Sequence, residues 1–223
     1  MLSEFFGGLD WSVLINILKR VIPAIICLTI HELCHGLVAL KLGDPTAKNM
    51  GRLTLNPIKH IDPLGMLAMA IFKIGYAKPV PVNPRNFKNP KLGMAITAFA
   101  GPASNVILAS VLLLIMGLLS KPIFEAGEVG IFFYEMLSMT AYLSCALAVF
   151  NMLPIPPLDG SKVFLALLPD KTYYKLLRYE RYGFIVLIAF VYLNVLTEFL
   201  GDATIWLLDR LSFFFNIGLS IYL

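Results

Sequence analysis

The stretch Thr29-Ile30-His31-Glu32-Leu33-Cys34-His35-Gly36 sets two imidazoles and a carboxylate inside a run that is otherwise apolar. Between Val21 and Leu42 the charged or imidazole-bearing residues are His31, Glu32, His35 and Lys41; Ile, Leu, Val and Ala dominate the rest. As a helix this run extends about 33 Å, enough to cross a hydrocarbon core of about 30 Å. His31 and His35 are four residues apart, so they lie one above the other on one face, with Glu32 about 100° round. Two neutral imidazoles and an adjacent carboxylate are the arrangement of a zinc hydrolase, in which the carboxylate takes a proton from water at the metal. The competing reading is a buried His/Glu cluster that fixes helix packing. It is the weaker one here, because a carboxylate near the bilayer centre costs at least about 2.5 to 3.5 kcal/mol and needs a partner or a wet cavity.

Composition sets the class around this stretch. The 223 residues are 58% hydrophobic and 14% charged with a mean hydropathy of +0.79, which describes an all-α polytopic membrane protein. The net charge of +4 is carried by loops between apolar runs, which argues against a nucleic-acid partner. Cys27, Cys34 and Cys145 all lie in apolar segments and imply packing, not a disulfide framework. Glu4 and Asp10 stand where a signal peptide would carry basic residues.

Residues 1–20 read as a short amphipathic segment at the interface, and the first full span as 21–42, with Pro23 in its first turn. Further apolar runs at about 92–119, 129–153, 182–200 and 205–222 bring the expectation to five or six membrane helices in one domain, 1–223. Asp209 and Arg210 in the last run call for an interfacial position or a mutual ion pair. The loops at 43–91 and 154–181 carry most of the Lys and Arg, so the positive-inside rule puts both in the cytosol and the His31/His35 pair in the cytosolic half. Within 43–91, Gly51 to Leu55 alternates like a strand, Phe72 to Val82 offers a second, and Pro63 to Phe72 has the length of a re-entrant segment. A small β-hairpin or sheet with a re-entrant loop is therefore expected between the first two full spans.

Two histidines leave a catalytic zinc one protein ligand short. The remaining histidine is His60; the competitor is Asp159, in Asn151-Met152-Leu153-Pro154-Ile155-Pro156-Pro157-Leu158-Asp159-Gly160. Three prolines in four residues must unwind the helix there, and freed backbone at that depth belongs beside protein or a water-filled cavity. The preceding span returns to the cytosolic side, so topology favours Asp159, although an aspartate before glycine is also an ordinary turn or cap residue. His60 reads by default as a solvated loop histidine. Asn151 ends a helix facing the same cavity and is a candidate donor to an oxyanion. The small residues of Gly101-Pro102-Ala103-Ser104-Asn105 suit close helix approach.

Taken together in chain order, His31-Glu32-Leu33-Cys34-His35-Gly36, Gly101-Pro102-Ala103-Ser104-Asn105 and Asn151 through Leu158-Asp159-Gly160 resemble the site-2 protease family of intramembrane zinc metalloproteases. Gly51-Arg52-Leu53-Thr54-Leu55-Asn56-Pro57 and Ala77-Lys78-Pro79-Val80-Pro81-Val82-Asn83-Pro84 are similar to loop pieces of its compact prokaryotic branch, which lacks PDZ and CBS domains. The resemblance implies one Zn²⁺ per chain held by His31, His35 and Asp159, with Glu32 as general base and Asn151 touching substrate or oxyanion. His60 and Asn105 are further candidates for contacting substrate or supporting a ligand. It also implies hydrolysis of peptide bonds within or next to a transmembrane helix of a membrane-protein substrate, in the lipid bilayer of a prokaryotic cell membrane, with the site towards the cytosol. The alternatives are a non-proteolytic metal-binding membrane protein and a metal or proton transporter using the same cluster.

Overall fold

The computed structural model describes residues 11–60, 78–194 and 196–222. It is helical: α1 spans Trp11–Lys41, α2 Thr46–Asn49, α3 Pro90–Leu118, α4 Ser120–Glu125, α5 Gly127–Asn151, α6 Asp159–Leu165, α7 Asp170–Leu177, α8 Glu180–Tyr192 and α9 Thr197–Leu219. Four stretches among the described residues are long and apolar enough to cross a membrane: Ile15–Lys41, Pro90–Leu118, Gly127–Asn151 and Thr197–Tyr222. The chain is thus an α-helical integral membrane protein.

Three boundaries differ from the sequence reading. The first helix begins at Trp11, so residues 11–20 continue into the span instead of lying apart at the interface, while residues 1–10 lie outside the described residues. Pro23 consequently sits in the helix interior, where it forgoes one backbone hydrogen bond. The apolar run 182–200 is not one span: α8 has 13 residues, about 20 Å, and ends before Asn194, whose φ of 54° is left-handed. Asn194 Oδ1 then accepts a hydrogen bond from Thr197 Oγ1 at 3.2 Å as α9 begins. Asp209 and Arg210 pair with each other at 3.4 Å, as expected of neighbours in an exposed stretch.

The expected β-hairpin is not found among the described residues. Gly51, at φ 64°, turns the chain, and the backbone donors that a ladder would use go elsewhere: Arg52 N to Ala47 O, Asn56 N to Thr54 Oγ1 and Ile58 N to Asn56 Oδ1. Residues 78–82 form no regular secondary structure, and Pro79 and Pro81 have no N–H to give. Lys78 N donates to His60 O and Val80 N to the Glu32 carboxylate, so the strip is tied to loop and helix, not to a strand. The re-entrant expectation at 63–72, and the part of the second strand before residue 78, lie outside the described residues.

α1, α3 and α5 pack on one another, α9 packs on α3 and α5, and α6 on α3. Pro23, Cys27, His31, His35 and Ala39, each four residues beyond the last, form the buried face of α1. The facing surface of α3 is mostly small: Gly93, Ala95, Ala98, Gly101, Ser104 and Ala109 are buried. Small residues let membrane helices approach until backbone and side chain touch. Between α1 and α5, Lys19 pairs with Glu135, and Cys27 Sγ donates to Thr140 O at 3.4 Å.

The loop between α1 and α3 is gathered at its base by Asp44, which is fully buried. Its carboxylate accepts from Thr46 N at 3.1 Å, Thr46 Oγ1, Asn83 N at 2.7 Å and Asn86 Nδ2 at 2.6 Å. Burial alone would raise its pKa; the donors from Thr46, Asn83 and Asn86 outweigh this and hold it below the usual carboxylate value. A depressed folded-state pKa contributes stability that is complete above the unfolded value of about 3.9 and is lost as pH falls through it towards the folded one. Asp44→Ala leaves several donors unpaired and is expected to cost about 2 to 4 kcal/mol. Thermal unfolding in detergent checks this: the variant should melt lower at pH 7, and the gap to wild type should narrow below about pH 4.

Candidate metal centre

Two segments bring three donors to a common point: α1 supplies His31 and His35, and the chain after α5 supplies Asp159. The four-residue spacing on α1 stacks the His31 and His35 rings, with centroids 4.6 Å apart and planes nearly perpendicular. The third donor comes from the turn after α5. There Pro154, Pro156 and Pro157 prevent helix continuation, the 156–157 bond is cis, and the chain restarts as α6 with Asp159 in its first turn. Gly160 allows this close return, since a Cβ on it would lie 2.3 Å from Met152 O. Asp159 Oδ2 is then 3.1 Å from His31 Nε2 and 3.1 Å from His35 Nε2.

The three donor atoms lie within 4.8 Å of one another, and both imidazoles are buried. Ligands about 2.0 to 2.1 Å from a tetrahedral zinc are about 3.3 Å apart, so the observed 3.1 Å spacings suit that ion with little adjustment. Two imidazoles and a carboxylate also form an open three-ligand set of the kind catalytic zinc uses. The Asp159 carboxyl is buried, which would raise its pKa, but the His31 and His35 imidazoles beside it hold it well below the usual range. It is therefore a carboxylate, the form a metal requires.

The surroundings orient each ring. His35 Nδ1 donates to Thr97 O at 2.7 Å, which leaves Nε2 facing Asp159. His31 Nδ1 lies 3.1 Å from the amide of Asn105. Both rings rest directly against Gly101: a Cβ there would be 2.5 Å from His35 Nε2 and 2.6 Å from His31 Cε1. Glu32, beside the ring face, accepts a hydrogen bond from Val80 N at 2.8 Å through Oε2. Gly36, one turn on, accommodates Leu53 and Val80.

Of the residues singled out from sequence, His31, His35 and Asp159 meet, Glu32 adjoins them, and Asn105 touches His31. Asn151 does not join the cluster: its Nδ2 donates to Leu147 O at 3.0 Å in its own helix. His60 is not a solvated loop residue. It is buried, with Nε2 on Thr54 O at 2.9 Å, and its role is to hold the loop that also binds Lys78 N. Sequence reasoning missed Thr97, which acts through a backbone carbonyl, and Val80. A signal existed for Val80, since the prolines on either side leave it one of the few N–H donors in 78–82.

The model of peptidase family M50 matches residues 123–194, which include Asn151 and Asp159. "Putative zinc metalloprotease YwhC" of Bacillus subtilis is 41% identical over 189 residues, 83% of either chain. Rip2 of Mycolicibacterium smegmatis, described in the same words, is 29% identical over 82% of this chain and 70% of its own. MJ0611 of Methanocaldococcus jannaschii, again so described, is 35% identical over 60% of this chain and 62% of its own. No solved structure matches at a significant level.

The contact of both rings with Gly101 makes a direct prediction. Gly101→Ala inserts a methyl where the imidazoles lie and should lower zinc affinity about 10- to 100-fold, as loss of ligand orientation does elsewhere. Chelator competition on the purified protein measures it; unchanged affinity would show that the rings are not held against α3.

Proposed function

The chain belongs to peptidase family M50, the site-2 protease family, and is a zinc-dependent hydrolase of the membrane; on that premise we propose the following assignment. His31, His35 and Asp159 hold one Zn²⁺ per chain, and Glu32 is the general base. The reaction is hydrolysis of peptide bonds within or next to transmembrane segments of membrane-protein substrates. The whole chain, 1–223, acts as one protease domain, with the site towards the cytosolic side of a prokaryotic cell membrane. The observation that carries this reading is the convergence of the three donors within 4.8 Å of one another, Asp159 Oδ2 being 3.1 Å from each imidazole, in a bundle of helices long and apolar enough to span a membrane, with a carboxylate next to the first.

Zinc, when bound, supplies Lewis acidity towards a carbonyl and lowers the pKa of water. The residues of the chain do the rest. Glu32 is held through Oε2 by Val80 N–H, so Oε1 takes the proton of the attacking water and later returns it to the leaving amine nitrogen. Thr97 O keeps His35 with its proton on Nδ1, and the Gly101 surface sets the tilt of both rings. Asn151 serves as a substrate contact, which requires its amide nitrogen to exchange Leu147 O for the incoming chain.

Elemental analysis of the detergent-purified protein, together with cleavage of a model transmembrane substrate, tests the assignment. Wild type should hold about one zinc per chain, Asp159→Ala should lose it, and Glu32→Gln should keep it while turnover falls about 10²- to 10⁴-fold. Undiminished zinc in Asp159→Ala would overturn the ligand set. Full cleavage by Glu32→Gln would overturn the base.

A further inference from the structure

The two histidines are not oriented by equivalent partners. His35 Nδ1 faces Thr97 O, a backbone carbonyl that can only accept; its proton is therefore fixed on Nδ1 and its Nε2 lone pair is free. His31 Nδ1 faces a side-chain amide, which can either donate or accept. Asn105 is completely buried, its Nδ2 lies 3.1 Å from His31 Nδ1, and its Oδ1 has no hydrogen-bond partner.

With Nδ2 donating, His31 Nδ1 carries the lone pair and the ring proton sits on Nε2, where it donates to Asp159 Oδ2 at 3.1 Å. That arrangement closes a His–Asp pair and leaves Nε2 nothing to offer a metal. Turning the amide by 180° about χ2 brings Oδ1 to Nδ1. The ring proton then resides on Nδ1, Nε2 recovers its lone pair, and no net proton is gained or lost. Asn105 can make this turn without displacing α3, whose backbone is anchored at the same residue by Ser144 Oγ donating to Asn105 O at 3.0 Å.

We propose that Asn105 is the positioning residue that selects the metal-binding tautomer of His31, by presenting its carbonyl oxygen to Nδ1–H when zinc is held. The inference rests on the assignment of His31 as a zinc ligand and adds the residue that makes it one. Outer hydrogen bonds of this kind tune affinity by about 10- to 100-fold.

Asn105→Asp keeps an acceptor in the same shape, whereas Asn105→Leu keeps the bulk and removes both polar atoms. Zinc affinity by chelator competition should fall about 10- to 100-fold in Asn105→Leu and stay within a few-fold in Asn105→Asp. A packing role alone predicts the reverse, because leucine fills the buried volume and aspartate buries a charge; that order would overturn the proposal. A second readout uses wild type only: nitrogen-15 NMR of histidine-labelled, zinc-loaded protein should show His31 protonated at Nδ1. Protonation at Nε2 would overturn the proposal even if Asn105→Leu failed to fold. Zinc retained undiminished by His31→Ala would overturn the ligand assignment itself, and this inference with it, whereas equal affinity in wild type and Asn105→Leu overturns the role of Asn105 alone.

Discussion

Polar atoms buried between membrane helices call for partners inside the protein, and this requirement organises the structure around His31 and His35. Left unpaired, such groups cost several kcal/mol each. At the two rings the chain combines backbone and side chains: Thr97 O for one Nδ1, Asn105 for the other, with Asp159 Oδ2 beside both Nε2 atoms. α3 therefore has two duties along one face. It must be small at Gly101, so that the imidazoles can lie against it, and polar at Asn105, so that one of them is held.

The same requirement explains the loop between α1 and α3. Its residues 78–82 lie over α1, and their available N–H groups are spent on His60 O and Glu32. Buried Asp44 closes the base of the loop, drawing Thr46, Asn83 and Asn86 to one carboxylate. Arg52, also buried, donates to Lys78 O at 2.7 Å and so holds the strip from its other end. Segments 48 residues apart in sequence thus place one amide on the Glu32 carboxylate. The loop supports the proposed chemistry although none of its described residues contributes a donor to the His31–His35–Asp159 cluster.

The alternation of Gly51 to Leu55 illustrates where pattern misleads. A period of two over five residues fits a strand, but it also fits a turn in which Arg52 points inward to a carbonyl and Leu53 packs on Gly36. Turn chemistry prevails because Asn56, Thr54 and a left-handed Gly51 satisfy the backbone locally. The apolar run 182–200 misleads similarly. Hydropathy is blind to the left-handed Asn194, which ends α8 after 13 residues.

Sequence by itself determined the class, the His31/His35 pair on one face of α1 and the adjacent carboxylate, because apolar length and a four-residue helical spacing are local properties that need no partner to be read. It also pointed to Asp159, since three prolines after a span must unwind the chain at one depth. Tertiary structure alone decided the rest: that Asp159 Oδ2 reaches both rings, that His60 is buried in the loop instead of solvated, that Thr97, Asn105 and Val80 supply the orienting hydrogen bonds, and that Gly101 is required by imidazoles and not merely by a neighbouring helix. The physical reason is that most of these are contacts between segments 40 or more residues apart, and several end on a backbone carbonyl or amide, which carries no residue identity that a sequence could display.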